Sequence, residues 1–361
     1  MVDALVLEAP RRLVRRDLPP PDLGEDDGLL RVEACGLCGT DHELFTGAMA
    51  PGFAFVPGHE AVGVVEAVGA RAAERWGVQE GDRVAVEVFL SCRTCDDCRR
   101  GAYRRCARHG LRDMYGMHPV DDPPGLWGGY ATHQYLAPDS MLLPVPDGLP
   151  PEVAVAFNPV GAGIRWAVTV PGTAAGDVVA VLGPGIRGLA AAAAAKDAGA
   201  AFVLVTGAGD RDHPRLDAAR RFGADLVVDV AEEDPVAALR RAAGVAGADV
   251  VVDVTAQAPA ALAQGVRLAR SGGTVVLAGT RGGLPVTDFD PDLVVYKELR
   301  LVGALGVDVT AYRAALDLLA SGRWPFADLP RAVVGLGGVA ELLATMAGER
   351  GVPPVHAVVT P

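Results

Sequence analysis

The apolar run Val178-Val-Ala-Val-Leu182 leads directly into Gly183-Pro184-Gly185-Ile186-Arg187-Gly188, and an alanine-rich helical pattern follows over 189–198. A buried strand, a G-x-G-x-x-G turn and a helix in that order constrain the fold more than any other stretch of the chain. The first glycine makes the tight turn, the second lets the backbone approach a pyrophosphate, and the third lets helix and strand pack closely. Backbone N–H groups and the helix dipole then favour phosphate at this point. Arg187 reads either as a pyrophosphate contact or as a solvated side chain of the first turn.

The same alternation continues downstream. Apolar segments at 201–205, 226–230, 249–254 and 273–278 alternate with helical patterns at 215–222, 234–243 and 260–269. Such a series predicts a parallel sheet covered by helices on both faces, a doubly wound Rossmann domain. The chain before about residue 150 is different. It holds short strand patterns at 61–68, 82–88 and 130–136, broken by Gly and Pro, with an exposed loop at 119–125. A compact β-rich domain is expected there. After Lys297 the alternation loosens into 299–305, a helix at 311–321 and a last helix and strand. At 361 residues the chain fits two domains, and the expected class is α/β.

Four of the six cysteines, Cys92, Cys95, Cys98 and Cys106, have the spacing C-x2-C-x2-C-x7-C. Two-residue gaps let a tight turn aim successive sulfurs at one tetrahedral Zn²⁺. Four sulfur donors leave no open position, so this metal would staple a loop (about 91–107) and carry no reaction. A second donor set lies in Gly36-Leu37-Cys38-Gly39-Thr40-Asp41-His42 and Gly58-His59-Glu60. A thiolate and an imidazole with few further protein donors can hold zinc open to water or substrate. Open zinc polarises an alcohol oxygen and prepares its carbon for hydride loss.

With these motifs in view, the chain resembles the zinc-dependent medium-chain alcohol dehydrogenase family, in particular its polyol and threonine dehydrogenase branch. The resemblance covers nearly the whole length. It runs through Gly36 to Asp41, Pro57-Gly58-His59-Glu60, Gly81-Asp82-Arg83-Val84, the cysteine lobe, Gly128-Gly129-Tyr130-Ala131 and Gly183 to Gly188. It implies a GroES-like catalytic domain over 1–157, a Rossmann domain over 158–297, and a return of 298–361 to the catalytic domain. It also implies two zinc ions per subunit, with Cys38 and His59 as ligands of the reactive one. Glu60 is then a ligand or a nearby carboxylate that exchanges with water. Thr40 would hydrogen-bond the substrate oxygen and begin a proton relay ending at His42 or Glu43. Relatives place Cys or Glu where this chain has Asn158, a poorer donor, which reads equally as a helix N-cap with Pro159 at the first helical position.

The implied reaction moves hydride between an alcohol, or its aldehyde or ketone, and NAD(P). A reductase of activated C=C or C=N bonds, with zinc altered in role, is the alternative, and a non-catalytic metal or redox-sensing module is a remote one. The segment after the second Rossmann strand, Val205-Thr206-Gly207-Ala208-Gly209, carries no acid until Asp210. An acid about twenty residues beyond the glycine loop usually binds the ribose of NAD. Its absence, with Arg211 or Arg215 near to pair with a 2′-phosphate, tilts the expectation to NADP. NAD held by other contacts remains the competing reading. The excess of 45 acidic over 33 basic side chains argues against nucleic acid. No apolar run is long enough for a membrane span, and the cysteines suit a reducing compartment. A cytoplasmic protein is expected, and the resemblance implies a homo-oligomer, dimer or tetramer.

Overall fold

A computed structural model describes residues 1–111 and 113–361. These residues form two compact units, one of Met1–Phe157, Asp308–Ser321 and Phe326–Pro361, the other of Asn158–Val307 and Gly322–Pro325. No helix among the described residues is long and apolar enough to cross a membrane.

The first unit is a β-rich body. Its strands are β1 (Val2–Ala9), β2 (Arg12–Leu18), β3 (Gly28–Leu37), β4 (Glu60–Val68), β5 (Arg83–Val86), β6 (His133–Leu136) and β7 (Leu142–Pro144). The strands β1 and β2 form a hairpin. The others join two strands from the end of the chain, whose own labels follow those of the second unit. The second unit contributes β8 (Val178–Leu182), β9 (Phe202–Gly207), β10 (Leu226–Asp229), β11 (Ala248–Asp253), β12 (Ala269–Leu277) and β13 (Arg300–Gly303). The late strands of the first unit are β14 (Arg331–Val334) and β15 (His356–Val359). Its main sheet has the order β14-β15-β3-β4-β5-β7, with β6 also on β3. The strand β15 lies antiparallel to the far end of β3, with Val358 opposite Gly36 and Ala357 opposite Leu37. Leu30, Val84, Tyr115, Tyr130, Leu136 and Val359 are among the side chains buried in this unit's core.

The six strands of the second unit are all parallel, in the order β10-β9-β8-β11-β12-β13. Val179, Val181, Leu204, Val251 and Val275 are fully buried, which is why these segments read as unbroken apolar runs. The helix Ile186–Asp197 begins earlier than the expected 189, directly on the glycine turn. Its residues Ala190 to Ala195 are buried, and a Cβ on Gly163 would collide with Ala190. This helix is therefore covered on two sides, and only small side chains fit. The strand β13 pairs with β12 and extends this unit past the expected end at 297 to Val307.

Candidate functional site

In the first unit, β3 delivers Cys38 to the start of the helix Gly39–Thr46, where it is the N-cap residue. A sulfur at a helix N-terminus is favoured as thiolate by the dipole and the free N–H groups. Glu60 opens the adjacent strand and is paired with Gly36 across the ladder. A Cβ on Gly36 would fall onto Glu60 Oε2, so the glycine makes room for the carboxylate. Gly58, at φ 91°, lies against the ring of Tyr130 and turns the chain so that His59 follows in place.

Cys38, His59 and Glu60 are buried, and their donor atoms lie within 4.8 Å of one another. Cys38 Sγ is 3.5 Å from His59 Nε2, which is 3.9 Å from Glu60 Oε1. Tetrahedral zinc with ordinary Zn–S and Zn–N bonds needs a sulfur–nitrogen edge of about 3.6 Å. The donor types and their spacing fit zinc, with carboxylate, thiolate and imidazole already facing one point.

A residue the sequence reading passed over holds this set. Asp41 is buried, and its Oδ2 accepts the Cys38 N–H at 2.9 Å. Its Oδ1 has no hydrogen-bond partner among the described residues and stands 3.8 Å from His59 Nδ1. A carboxylate behind a ligating histidine fixes ring orientation and raises donor strength. The spacing Cys38-x-x-Asp41 is that of a helix capping box and was the available signal. Burial, with Asp41, Cys35, Cys38 and Glu60 around it, pushes the neighbouring Tyr130 hydroxyl far above its usual pKa, so it stays protonated.

Thr40 and His42 occupy the first turns of the same helix. Two residues apart, they point to different faces. His42 Nε2 faces Glu349 Oε1 at 3.7 Å, and Glu349 is held in turn by Arg11 at 2.6 Å. Asn158 belongs to the second unit. It is buried inside the helix Phe157–Ile164, with Pro159 after it, so it is not the N-cap expected from the sequence. The helix starts at Phe157, and the Asn-Pro pair falls within its first turn.

The four cysteines of the lobe also converge, with Sγ atoms of Cys92 and Cys98 3.8 Å apart. That matches the sulfur–sulfur edge of about 3.8 Å around tetrahedral zinc. The Cys95 N–H points at Cys92 Sγ, and the Cys98 N–H at Cys95 Sγ. The Thr94 hydroxyl, with the backbone N–H groups of Cys95 and Thr94, brings the Cys92 thiol down to about 5. Tyr103 anchors the lobe, donating its hydroxyl to the fully buried Glu87 at 2.6 Å and accepting the Val309 N–H at 2.7 Å.

In the second unit, Gly183 follows β8 at φ 103°, Pro184 comes next, and Gly185 is the N-cap of the helix beginning at Ile186 and Arg187. A Cβ on Gly188 would fall onto the Gly183 carbonyl oxygen, whereas the space at Gly185 is open. This leaves a bare backbone cradle at a helix N-terminus, the surface a pyrophosphate needs. Gly207 ends β9, and Arg211 lies exposed in the turn that follows.

Comparison with known proteins agrees with both halves. Residues 24–147 match the alcohol dehydrogenase GroES-like domain, and residues 188–321 match the zinc-binding dehydrogenase domain. A "probable alcohol dehydrogenase" of Mycobacterium tuberculosis is 69% identical over 100% of this chain and 99% of its own. Among solved structures, the alcohol dehydrogenase TADH from Thermus sp. ATN1 superposes with a TM-score of 0.84 at 28% identity, covering 99% of each chain. A zinc-binding dehydrogenase target from Sinorhizobium meliloti 1021, bound to NADP, gives 0.84 at 27% identity over 100% of this chain and 99% of that one.

Proposed function

Since the chain belongs to the zinc-dependent medium-chain alcohol dehydrogenase family, and is thus an NAD(P)-dependent oxidoreductase acting on small alcohols or their carbonyl partners, we propose how its own residues share the work. Cys38, His59 and Glu60 hold the reactive zinc, and Cys92, Cys95, Cys98 and Cys106 hold a second, structural one. Bound there, the reactive ion supplies a Lewis acid for the substrate oxygen, while the nicotinamide accepts or donates the hydride. Asp41 fixes Cys38 and steadies His59. Thr40 orients the substrate hydroxyl and takes its proton into a relay. His42, on another face of the helix, receives that proton only through a bridging hydroxyl, and passes it outward beside Glu349. The backbone from Gly183 to Gly188 seats the pyrophosphate, and Gly207 and Arg211 border the adenosine end.

One observation carries this assignment: three buried donors of different chemistry converge at one point, apart from a complete four-sulfur set. A saturated set needs no such companion unless the second metal does chemistry. The test is metal analysis of the purified protein together with reduced-nicotinamide absorbance over a panel of alcohols and aldehydes. About two zinc ions per chain are expected, and chelation should abolish turnover. Full turnover in metal-depleted protein would overturn the assignment.

Self-association is proposed as well, supported by the second unit's surface. The strand β13 is an outer strand of its sheet, and Val295, Tyr296, Leu301 and Leu305 nearby are exposed. A cytoplasmic setting is supported by six cysteines of which five serve the two metal sets and none forms a disulfide.

A further inference from the structure

The strand that usually ends in the acid for the ribose 2′-hydroxyl ends here in Gly207. A Cβ at this position would lie 2.9 Å from Asp212 Cβ and 3.0 Å from Pro184 Cγ. No acidic side chain fits there, yet the turn does not lack carboxylate. The strand β10 pairs in parallel with β9, and its last residue, Asp229, is the ladder partner of Gly207.

Asp229 accepts the Gly209 N–H at 2.9 and 3.1 Å and the Ala231 N–H at 2.9 Å, with its side chain only 8% exposed. Asp212 Oδ2 accepts the Ala208 N–H at 3.0 Å. The two backbone donors that follow Gly207 are the ones a phosphate on this turn would use. Both are already taken by carboxylates. The Gly209 and Ala231 N–H groups hold the Asp229 carboxyl below its usual pKa, so its charge persists at neutral pH.

The cations of this turn do not offset these charges. Arg215 is spent on Asp212 at 3.4 Å, and His213 Nε2 on Asp229 at 2.8 Å. Arg211 is exposed, Asp210 faces His213 Nδ1 at 3.8 Å, and Glu232 clusters with His213 and Asp229. With His213 neutral or protonated, acidic groups outnumber basic ones around Gly207.

We infer that Asp229, seconded by Asp212, makes this turn reject a 2′-phosphate, so that the protein takes NAD in preference to NADP. The inference rests on the dinucleotide site proposed above and reverses the tilt to NADP read from the sequence. The fold supplies from a neighbouring strand the carboxylate that β9 lacks.

Calorimetric titration of the purified protein with NAD⁺ and NADP⁺, at low and high salt, tests this. NAD⁺ should bind at least roughly tenfold more tightly, and added salt should narrow the gap because it screens repulsion. Asp229→Asn keeps a side-chain acceptor for Gly209 and removes the charge. It should tighten NADP⁺ several-fold and change NAD⁺ less, so that the preference narrows. Equal or tighter binding of NADP⁺ by the wild type, or a selective weakening of NADP⁺ by salt, overturns the inference. Should the variant not fold, the sign of the salt effect on the wild type decides alone. Failure of both nucleotides to bind is a separate result that removes the dinucleotide site itself, and the inference with it.

Discussion

At the scale of single residues, the reactive site depends on which side chain balances the metal's charge. A thiolate from Cys38, a carboxylate from Glu60 and a neutral His59 bring Zn²⁺ to zero, whereas Asn158 in place of Glu60 leaves one positive charge. A buried site favours neutrality because unbalanced charge is costly away from water. Glu60→Gln is therefore expected to lower zinc affinity by about tenfold or more, and Asn158→Ala to change it less. Elemental analysis of both purified variants after dialysis reads the order directly, and the reverse order would remove Glu60 from the ligand set. Gly36 belongs to the same argument, because its missing side chain is what lets the Glu60 carboxylate lie against β3.

At the scale of elements, each turn places its chemistry through a backbone that tolerates no side chain. Gly188→Ala puts a methyl group onto the Gly183 carbonyl. It is expected to weaken binding of both NAD⁺ and NADP⁺ by tenfold or more, roughly the loss of a close backbone fit. Zinc content should stay unchanged, because the metal donors belong to the other unit. Titration calorimetry alongside metal analysis checks this, and undiminished nucleotide binding would show that the cradle lies elsewhere. Legibility in the sequence follows the same physics. The strands β8, β9 and β11 and the second half of β12 were readable because burial on both faces makes them continuous apolar runs. The helix Gly39–Thr46 went unread, since Gly-Thr-Asp-His-Glu has no apolar periodicity, although its site residues stood out as a motif. The strand β3 went unread too: it alternates only over Leu30 to Ala34, with Arg31 exposed and Glu33 half-buried, and its remainder through Gly36-Leu37 is buried on both sides. Asp229 was invisible for a different reason: nothing in a linear sequence says which strand will lie beside Gly207.

At the scale of the whole molecule, stability should carry the signature of one carboxyl. Glu87 is fully buried, and that burial raises its pKa from 4.5 to about 8 despite the hydrogen bond from Tyr103. The folded state thus holds a proton that the unfolded chain releases near pH 4.5. This contribution is complete below that pH, falls as pH rises towards 8, and is flat above it. Its full size is at most about 5 kcal/mol, from the shift at roughly 1.4 kcal/mol per unit. Glu87→Gln should flatten the fall in thermal midpoint between pH 5 and 8, measured by calorimetric scans of both proteins at matched salt. An equally steep fall in the variant would place the titrating group elsewhere.

The pairing of β15 with β3 has a consequence for how the protein is made. The strands of the nucleotide-binding sheet all emerge between Val178 and Gly303, so that sheet can assemble while the ribosome is still at work. The strand bearing Gly36, just ahead of Cys38, has β4 on one side early, but its second neighbour at this end comes only when Ala357 to Val359 appear, more than three hundred residues later. During synthesis the half of the protein begun first is the half finished last. The end that carries Cys38 remains one strand short until residues 357–359 have been made.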